Sequence, residues 1–596
     1  MTRVWVPLVL CLFGFAEPAS RAAGQVPPPP TPPPPPTGAA VPGMPPRDAS
    51  GTTPQTGTAR IRGRVTAAAT GEPLRRAQVT LNTGTPGSRS TTTDADGRYE
   101  FSQLAPGQFT VSATKAGYVN LQYGQRRPFE GGTPVSVQDG QTVERVDLGL
   151  PRGGVMLVRV TDDFGEPIAG ARIQLQRYQY QADGRRRLTA VGAGGIAPLT
   201  GTDDLGELRV YGLMPGEYVV SASMPGVLPA PRNPADAATE GLSPTFYPGV
   251  ISADSATPVS VGVGQQVPVQ FSMIAARLAR ISGVVVDSQG RPVGGVPLSL
   301  VVRTPASISS SGAGSTQADG TFTIAGVAPG EYAIDVRPSP AAAGAASTLR
   351  EGASFPIAVA GVDIAGIQIV TSPGTHISGR VIWEGASSRE SQGVTGAALR
   401  QRITLNQTDP MRQMIGVLFS NPQANGTLDE DGRFEISGAS GRVFFNLTPM
   451  PPNWSIKSVV LDGRDLTDEP LDLTGRPSLG DVVITLTDRQ TSVSGQVVDG
   501  RGQLLRDYVV VIQPALELEA AIAARGVRAV RPNASDGRFE TRGLRPGRYL
   551  ATAIDALEQG REFAPEFRQQ LRRGAREFRV DEGQSVTLDL RLTPDL

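Results

Sequence analysis

Acidic residues recur in pairs at turn-like positions along the chain and are its clearest candidates for chemistry. The pairs are Asp94 with Asp96 in TDADG, Asp203 with Asp204 in TDDLG, and Asp429 with Asp431 in DEDG. Carboxylate oxygens at such spacing suit Ca²⁺, but Asp is also favoured in turns because its side chain bonds the neighbouring backbone. The corresponding QADG and ASDG sequences keep the turn with only one acid. We therefore expect structural turns without a cofactor, and weak structural calcium binding is the alternative.

Histidine, cysteine and lysine are so scarce that most catalytic chemistry is excluded. The 596 residues include one His, one Cys and two Lys. A zinc peptidase needs at least two His on its metal. A Ser-His-Asp site would have to use His376, which alternation places on the exposed side of the strand HISGR. No Gly-Lys dipeptide supports a phosphate-binding loop. Two carboxylates can hydrolyse glycosides without His or Cys, but small modules offer strand faces rather than a deep cleft. We predict a protein that is not an enzyme, with no catalytic, cofactor-binding or metal-binding residues.

Aromatic residues in loops are the remaining candidates for ligand contacts. They are Tyr118 and Tyr123 in GYVNLQYGQ and Phe246 and Tyr247 in PTFYPG. Sugars commonly stack on such rings, yet aromatic residues make up only 5% of the chain. Packing of these loops against the edge of a sandwich is the favoured interpretation, and contact with a polysaccharide is the alternative.

The elements that position these residues come from one phrase that occurs five times. Its copies are 96–113 (DGRYEFSQLAPGQFTVSA), 205–222, 319–336, 431–448 and 536–553. Each copy combines a Gly turn, an alternating strand, a second turn (Pro-Gly in four copies) and a second strand. The turn glycines, which supply the positive φ that a hairpin needs, are Gly97, Gly206, Gly320, Gly432 and Gly537. We predict adjacent hairpin strands in every module.

Two further phrases complete each module. A strand–turn–strand phrase precedes the copies, as in 61–81, 157–175, 281–300, 377–383 and 493–512, and a closing pair of strands follows, as in 135–150, 259–273 and 578–592. Six or seven short strands in about 100 residues are typical of an antiparallel β-sandwich. The predicted fold is all-β, with sandwiches at 59–151, 152–276, 277–374, 375–489 and 490–596. Because the linkers are short, we expect a semi-rigid rod.

These phrases resemble the carboxypeptidase regulatory-like domain, the transthyretin-like sandwich that follows the catalytic domain of some metallocarboxypeptidases. The resemblance covers nearly all of 59–596 as five copies and is weaker in the second and fourth. Similar domains occur in bacterial envelope proteins, at the N-termini of outer-membrane receptors and in adhesins of Gram-positive bacteria. The family is defined by its fold and has no catalytic residues to transfer. The modules of such adhesins often carry a Lys–Asn isopeptide bond, and Lys115 and Lys457 cannot supply five modules, so we expect none.

The last module also contains a predicted helix between Pro565 and Gly574. Phe567, Leu571 and Phe578 mark its apolar face, and Arg568, Arg572 and Arg576 mark a basic one. We expect the helix to plug the end of the sandwich, and a basic contact patch is the alternative.

The N-terminus resembles an export signal followed by a spacer. Arg3, an apolar run over 4–15 and small residues up to Gly24 predict a signal peptide at 1–24. The Pro-rich segment 25–58 predicts a disordered linker. No other apolar stretch approaches 18 residues, so we expect no transmembrane segment after cleavage and a location in the periplasm, on the outer membrane surface or outside the cell.

Charge gives no reason to expect nucleic acid as a partner, because 56 basic residues balance 56 acidic ones. We predict a non-enzymatic secreted or envelope protein that acts as a binding, adhesion or spacer scaffold. Its partner is an unidentified envelope protein or polysaccharide. The alternative is a carbohydrate-binding protein that recognises polysaccharide through the loop aromatics.

Overall fold

The computed structural model describes the chain from residue 57 to residue 594 with several internal gaps. The described ranges are 57–82, 88–182, 184–191, 201–224, 240–302, 310–336, 351–385, 402–408, 425–429, 431–448, 450–451, 453–516, 526–533 and 536–594. The predicted signal peptide and nearly all of the Pro-rich linker lie outside these ranges. In the described residues, no helix is both long and apolar enough to cross a membrane.

The regular structure consists almost entirely of strands arranged in five β-sandwiches, here called modules 1 to 5 in chain order. Module 1 contains β1 (Ala59–Ala67), β2 (Gln78–Asn82), β3 (Arg89–Thr92), β4 (Arg98–Leu104), β5 (Gly107–Thr114), β6 (Leu121–Gln122), β7 (Val135–Val137), β8 (Thr142–Val143) and β9 (Leu148–Leu150). Module 2 contains β10 (Gly154–Thr161), β11 (Arg172–Tyr180), β12 (Arg186–Ala190), β13 (Glu207–Leu213), β14 (Gly216–Ser223), β15 (Glu240–Leu242), β16 (Thr245–Phe246), β17 (Val259–Val261) and β18 (Gln266–Ser272). The short strand β19 (Ala275–Arg277) leads into module 3 and pairs with β15.

Modules 3 to 5 repeat this organisation. Module 3 contains β20 (Ala279–Val286), β21 (Pro297–Val302), β22 (Ser310–Ser315), β23 (Thr321–Val327), β24 (Gly330–Val336), β25 (Ala353–Val359) and β26 (Ile364–Val370). Module 4 contains β27 (Thr375–Glu384), β28 (Arg402–Gln407), β29 (Asn425–Thr427), β30 (Arg433–Ala439), β31 (Arg442–Thr448), β32 (Ser455–Leu461), β33 (Arg464–Asp465), β34 (Leu471–Asp472) and β35 (Ser478–Thr487). Module 5 contains β36 (Ser492–Val498), β37 (Val509–Pro514), β38 (Arg528–Val530), β39 (Phe539–Arg542), β40 (Gly547–Ile554), β41 (Arg576–Val580) and β42 (Ser585–Arg591).

Each module buries its own apolar core between two sheets. The inward-facing residues of the alternating strands form five separate clusters, one in each module. In module 1, for example, Tyr99 and Phe101 pack edge to face with 5.9 Å between ring centroids. The predicted all-β array of five sandwiches is therefore confirmed, while its residue boundaries stay predictions.

The first strand of every module has a parallel partner, which the sequence patterns did not reveal. In module 3, β20 pairs antiparallel with β23 on one side and parallel with β26 on the other. The second sheet runs β22-β21-β24-β25 and is antiparallel throughout. The same parallel pairing joins β1 to β8 and β9, β10 to β18, β27 to β35, and β36 to β42.

The prediction that the repeated phrase forms a hairpin of adjacent strands is wrong. In module 1, β4 pairs with β1 in the first sheet, whereas β5 pairs with β2 in the second sheet. The turn between them therefore carries the chain across the sandwich. Two strands that face one core from opposite sides show the same alternation as two paired strands, so the local pattern could not distinguish them.

The predicted helix is present and covers a sheet face. It spans Pro565–Arg572, with Pro565 in its first turn and with Phe567 and Leu571 buried. These two side chains pack on Val509 and Val511, which project from the outer side of β37. The helix therefore covers the second sheet of module 5 instead of plugging the end of the sandwich. Phe578, which was expected on the same helix face, lies in β41.

Candidate functional site

In each acidic pair of the repeated phrase, the carboxylate of the first residue stabilises the turn in which it lies. Asp94 Oδ1 accepts hydrogen bonds from the backbone N–H of Asp96 at 2.9 Å and of Arg98 at 2.8 Å. In module 2, Asp203 Oδ1 accepts in the same way from Leu205 and Glu207 at 3.0 and 2.8 Å. This bonding of an Asp to the backbone two and four residues later stabilises the turn without a metal. Among the described residues, no group of three or more His, Cys, Asp or Glu is placed to hold a metal ion, and weak calcium binding stays a prediction.

A second set of turn aspartates, which sequence reasoning missed, does the same work earlier in the modules. Asp162, Asp287 and Asp499 each accept backbone N–H bonds from the residues two and four positions later. Donation by the backbone N–H of Arg291, and further bonds from its side chain and from Gln289, lower the pKa of Asp287. The shared spacing D-x-x-G, also present at Asp94, Asp203 and Asp429, was the signal that could have revealed this set.

The other candidates for chemistry take part in packing and surface contacts. His376 is exposed on β27, and its Nδ1 lies 3.3 Å from Ser437 Oγ. Lys115 donates to the main-chain oxygens of Arg75 and Arg76. Lys457 bridges modules 4 and 5 through ion pairs with Glu384 at 2.9 Å and Glu582 at 3.1 Å.

The four loop aromatics do not form one exposed platform. Phe246 is only 6% exposed and packs with Leu188 and Val219. Tyr247 packs edge to face on Phe271 with 6.1 Å between centroids.

The two loop tyrosines of module 1 are also engaged. Tyr118 is half-buried beneath Arg152, whose guanidinium carbon is 4.6 Å from the ring centroid. Tyr123 is half-buried against the module 1 core, and burial raises its pKa. The structure thus places all four residues of this prediction in packing contacts, and their binding of a ligand stays untested.

A loop of module 1 brings three modules together. This docking loop, residues 125–132 (QRRPFEGG), reaches module 5, where the Phe129 carbonyl accepts from the backbone N–H of Gln559 at 3.0 Å. Two ion pairs of 2.7 Å reinforce the contact, from Arg126 to Asp507 and from Arg127 to Asp555. Modules 1 and 5 are not neighbours in the chain, so this contact differs from what the semi-rigid rod predicted from the short linkers would show. Long-range contacts of this kind leave no periodic signal in the sequence.

Arg177 of module 2 is the centre of this three-module junction. Its guanidinium carbon lies 3.2 Å from the centroid of the Phe129 ring, and its Nη2 donates to Glu558 of module 5 at 2.6 Å. The Arg177 side chain is only 11% exposed, a setting in which cation–π contacts and ion pairs gain strength. A Cβ on Gly216 would lie 2.8 Å from the Phe129 ring, so this position of β14 needs glycine for the approach.

Two cavities flank the junction. One, of about 590 Å³, lies between module 2 and the helix of module 5. The other, of about 1070 Å³, is a groove whose lining comes mainly from module 1 and from the β38–β39 region of module 5. Clefts between domains are common ligand sites, and this groove is the candidate site.

The floor of the groove belongs to an uncharged sheet face. Every outward-facing side chain in the described strands of the second sheet of module 1 is Ser, Thr, Asn or Gln: Gln78, Thr80, Asn82, Ser90, Thr92, Gln108, Thr110, Ser112, Thr114, Gln122 and Ser136. Charged residues make up 19% of the chain, so a face of this size would ordinarily carry some. The corresponding faces of modules 2, 3 and 4 do, for example at Glu217, Asp335 and Arg402.

The opposite wall of the groove contains carboxyl groups that are largely removed from solvent. Glu130 of the docking loop is buried, and Arg531 Nη2 of module 5 approaches its Oε2 to 4.0 Å. Glu562 also lines the groove, and burial raises the pKa of its carboxyl. Its Oε2 atom is buried and accepts no hydrogen bond from the described residues. Such an acceptor is costly to leave unpaired.

Comparison with known families identifies one module. The model of the carboxypeptidase regulatory-like domain matches residues 60–151, which correspond to module 1. No curated protein matches the sequence.

Solved structures with similar modules include a Bacillus anthracis protein and two pilins. The Bacillus anthracis TIE protein is 14% identical over 53% of this chain, with a TM-score of 0.15, and the match covers 51% of the TIE protein. A streptococcal ancillary pilin is also 14% identical over 53% of this chain, and the match covers 99% of the pilin with a TM-score of 0.19. The minor pilin GBS52 of Streptococcus agalactiae is 14% identical over 36% of this chain and 96% of its own length, with a TM-score of 0.20. Likenesses this distant carry no argument about function.

Proposed function

We propose that this protein is a non-enzymatic scaffold of the cell envelope or of the secreted fraction. The observation that carries the proposal is the three-module junction, at which the docking loop of module 1 and Arg177 of module 2 fasten module 5. Contacts between modules distant in sequence fix their relative positions, which is what a framework for presenting surfaces to a partner requires. The groups that could do chemistry, including Asp94, Asp203 and Lys457, are used in turns and ion pairs.

The location belongs to the same proposal. The N-terminal signal pattern and the regulatory-like domain at 60–151 favour an exported protein. Fractionation of the native host, followed by protease treatment of intact cells, tests it. We expect the mature protein to begin near residue 25 and to be found in the envelope or the medium. A cytosolic protein that retains Met1 would contradict the proposal.

The partner is tested separately. Crosslinking on intact cells, followed by identification of what is joined to the protein, should return an envelope protein or polysaccharide. Conversion of a small-molecule substrate to product by the purified protein would instead indicate an enzyme.

Carbohydrate binding is the second candidate function, and the uncharged face of module 1 favours it. Hydroxyl and amide side chains can both donate and accept hydrogen bonds, which suits the hydroxyl groups of sugars. The buried position of Phe246 makes a platform of loop aromatics a poor basis for this function. The groove beside the uncharged face is a better one.

A further inference from the structure

We infer that the groove between modules 1 and 5 is a binding site for a neutral oligosaccharide. The inference deepens the second candidate function by naming a site and a class of ligand. It depends on the position of module 5 against the docking loop and not on the loop aromatics.

Among the residues that the structure describes, the floor of the groove has no charged side chain with which a charged ligand could form an ion pair. Gln108, Ser112 and Ser136 line it, and they lie on adjacent strands because Gln108 in β5 is directly opposite Ser136 in β7. Ser112 faces Gln122 of β6 in the same way. Amide and hydroxyl side chains provide donors and acceptors side by side. A hydroxyl group of the ligand can therefore find a partner whether it donates or accepts a hydrogen bond. An anionic or cationic ligand would gain no ion pair from this floor.

The wall formed by module 5 adds charges of both signs, namely Arg528, Arg531, Asp536, Arg538, Glu540 and Glu562. Arg531 lies against Glu130 at 4.0 Å, and Glu540 is paired with Arg542 at 2.6 Å. Glu562 lines the same wall, and its buried Oε2 accepts no hydrogen bond from the described residues. Because the wall carries charges of both signs and the described floor residues carry none, the groove gives no net preference to an anion or a cation, and its polar groups favour a neutral ligand rich in hydroxyl groups.

The dimensions favour several sugar units over one. Pockets for small ligands typically hold about 300–1,000 Å³, and this groove holds about 1070 Å³. The Phe129 ring is not open for stacking on a sugar, because Arg177 covers one face and Tyr218 packs against it with 6.3 Å between centroids. The groove would therefore recognise a sugar through hydrogen bonds.

An extended peptide is the competing ligand, and the floor does not suit it. Peptides commonly bind by adding a strand to the edge of a sheet. The floor of the groove is a sheet face, where the backbone groups of β2 and β5 are already paired with each other. A peptide lying on this face would have no ladder to extend.

Titration of the purified mature protein with four neutral hexasaccharides tests the inference: cellohexaose, laminarihexaose, mannohexaose and chitohexaose, with hexagalacturonate as the anionic control. Binding is measured by calorimetry and by saturation-transfer NMR. We expect at least one neutral hexasaccharide to bind and hexagalacturonate not to bind. Failure of all four, or equal binding of the anionic control, would overturn the inference while leaving the scaffold and its location standing.

Matched variants locate the site. Gln108→Lys places a long cation in the groove, whereas Gln78→Lys makes the same change on the same exposed face outside the lining. We expect the first to weaken binding at least tenfold and the second to leave it within twofold. Equal effects of both changes would contradict the site.

A second pair of variants separates filling of the groove from added charge. Ser112→Tyr occupies the groove without a charge, and Thr92→Tyr is its control on the same face. All four side chains point out of the sandwich, and unchanged circular dichroism and melting confirm that each variant folds. If an extended peptide, such as a (Ser-Thr)₃ hexapeptide, binds and is blocked by Ser112→Tyr while the sugars are not, the site takes peptide and the inference fails.

Discussion

At the residue scale, the glycines of two turns in module 3 have separable roles. Gly290 and Gly320 of module 3 have nearly the same φ, +80° and +77°. A Cβ on Gly290 would meet nothing within 4 Å, whereas on Gly320 it would lie 2.7 Å from the carbonyl oxygen of Val285. Gly290 therefore serves the backbone conformation alone, while Gly320 also permits the turn to pack closely on β20.

This difference predicts unequal costs for the same substitution. Gly290→Ala should destabilise module 3 by about 1–2 kcal/mol, the cost of a left-handed conformation with a side chain. Gly320→Ala should cost a further ~1–3 kcal/mol because the turn must move away from β20. Hydrogen exchange of module 3 peptides in the whole protein measures both. Equal protection from hydrogen exchange in the two variants would show that the close contact at Gly320 does not affect the stability of module 3.

Burial of Glu562 gives a second prediction, with a defined direction in pH. Because its pKa is raised in the folded protein, the unfolded chain loses the proton first as pH rises. Stability therefore falls from the ordinary Glu pKa of about 4.3 up to the raised value and stays lower above it. Glu562→Gln should stabilise the protein at pH 7 and have little effect at pH 4.

Denaturant unfolding of the variant at both pH values tests this expectation. Glu566→Gln, at an exposed position in the first turn of the helix Pro565–Arg572, is the control and should cost no more than about 1 kcal/mol at pH 7, the usual contribution of a carboxylate near a helix N-terminus. A Glu562→Gln variant that is destabilised at pH 7 would show that the carboxylate has a favourable partner.

At the element scale, the helix of module 5 covers a sheet face that would otherwise be exposed to solvent. Phe567 and Leu571 are 4% and 0% exposed, so truncation of Leu571 should leave a cavity over β37. Leu571→Ala is expected to cost about 2–5 kcal/mol. Gln569→Ala, on the exposed side of the same helix, should cost less than about 0.5 kcal/mol.

Hydrogen exchange of β37 and β40 peptides distinguishes the two variants. Exchange in both strands should accelerate in Leu571→Ala and remain unchanged in Gln569→Ala. If β37 stays protected without Leu571, the helix is dispensable for this sheet.

At this scale the sequence predicted the positions of strands but not their partners, because a local pattern of residues contains only the first kind of information. Alternation at Tyr99 and Phe101 located the strands and their inward faces, and the turn glycine Gly97 has the expected positive φ of +74°. The partners of each strand were not predictable, because the pairing of β5 with β2 rather than β4 is decided by contacts between distant residues. The same limit concealed the groove, since Gln108 and Glu562 are 454 positions apart and meet only through the docking of module 5.

At the scale of the whole molecule, one arginine connects three modules. Arg177 touches Phe129 of module 1 and Glu558 of module 5. Arg177→Ala should weaken the junction by about 1–3 kcal/mol, the range expected for a partly buried charge-assisted contact. Arg159→Ala, at an exposed site of β10, is the control and should have no effect.

Release of module 5 is measurable in the full chain. The radius of gyration from X-ray scattering should increase in Arg177→Ala, and hydrogen exchange should accelerate in residues 125–132 and 556–560. Because the pairs Arg126–Asp507 and Arg127–Asp555 are exposed, high salt should enlarge the effect. Unchanged scattering in the variant at both low and high salt would contradict a junction held by Arg177.

The parallel pairing of first and last strands has a mechanical consequence. When a module is pulled by its two ends, force enters at the start of the first strand and leaves at the end of its parallel neighbour, as in β20 with β26 or β36 with β42. These two points lie at opposite ends of the same ladder, so the load slides the strands past each other and stretches all of the bonds between them together. Antiparallel terminal strands would instead open one bond at a time, like a zipper. A tether built from such modules would lose its contacts between modules first and yield within them last.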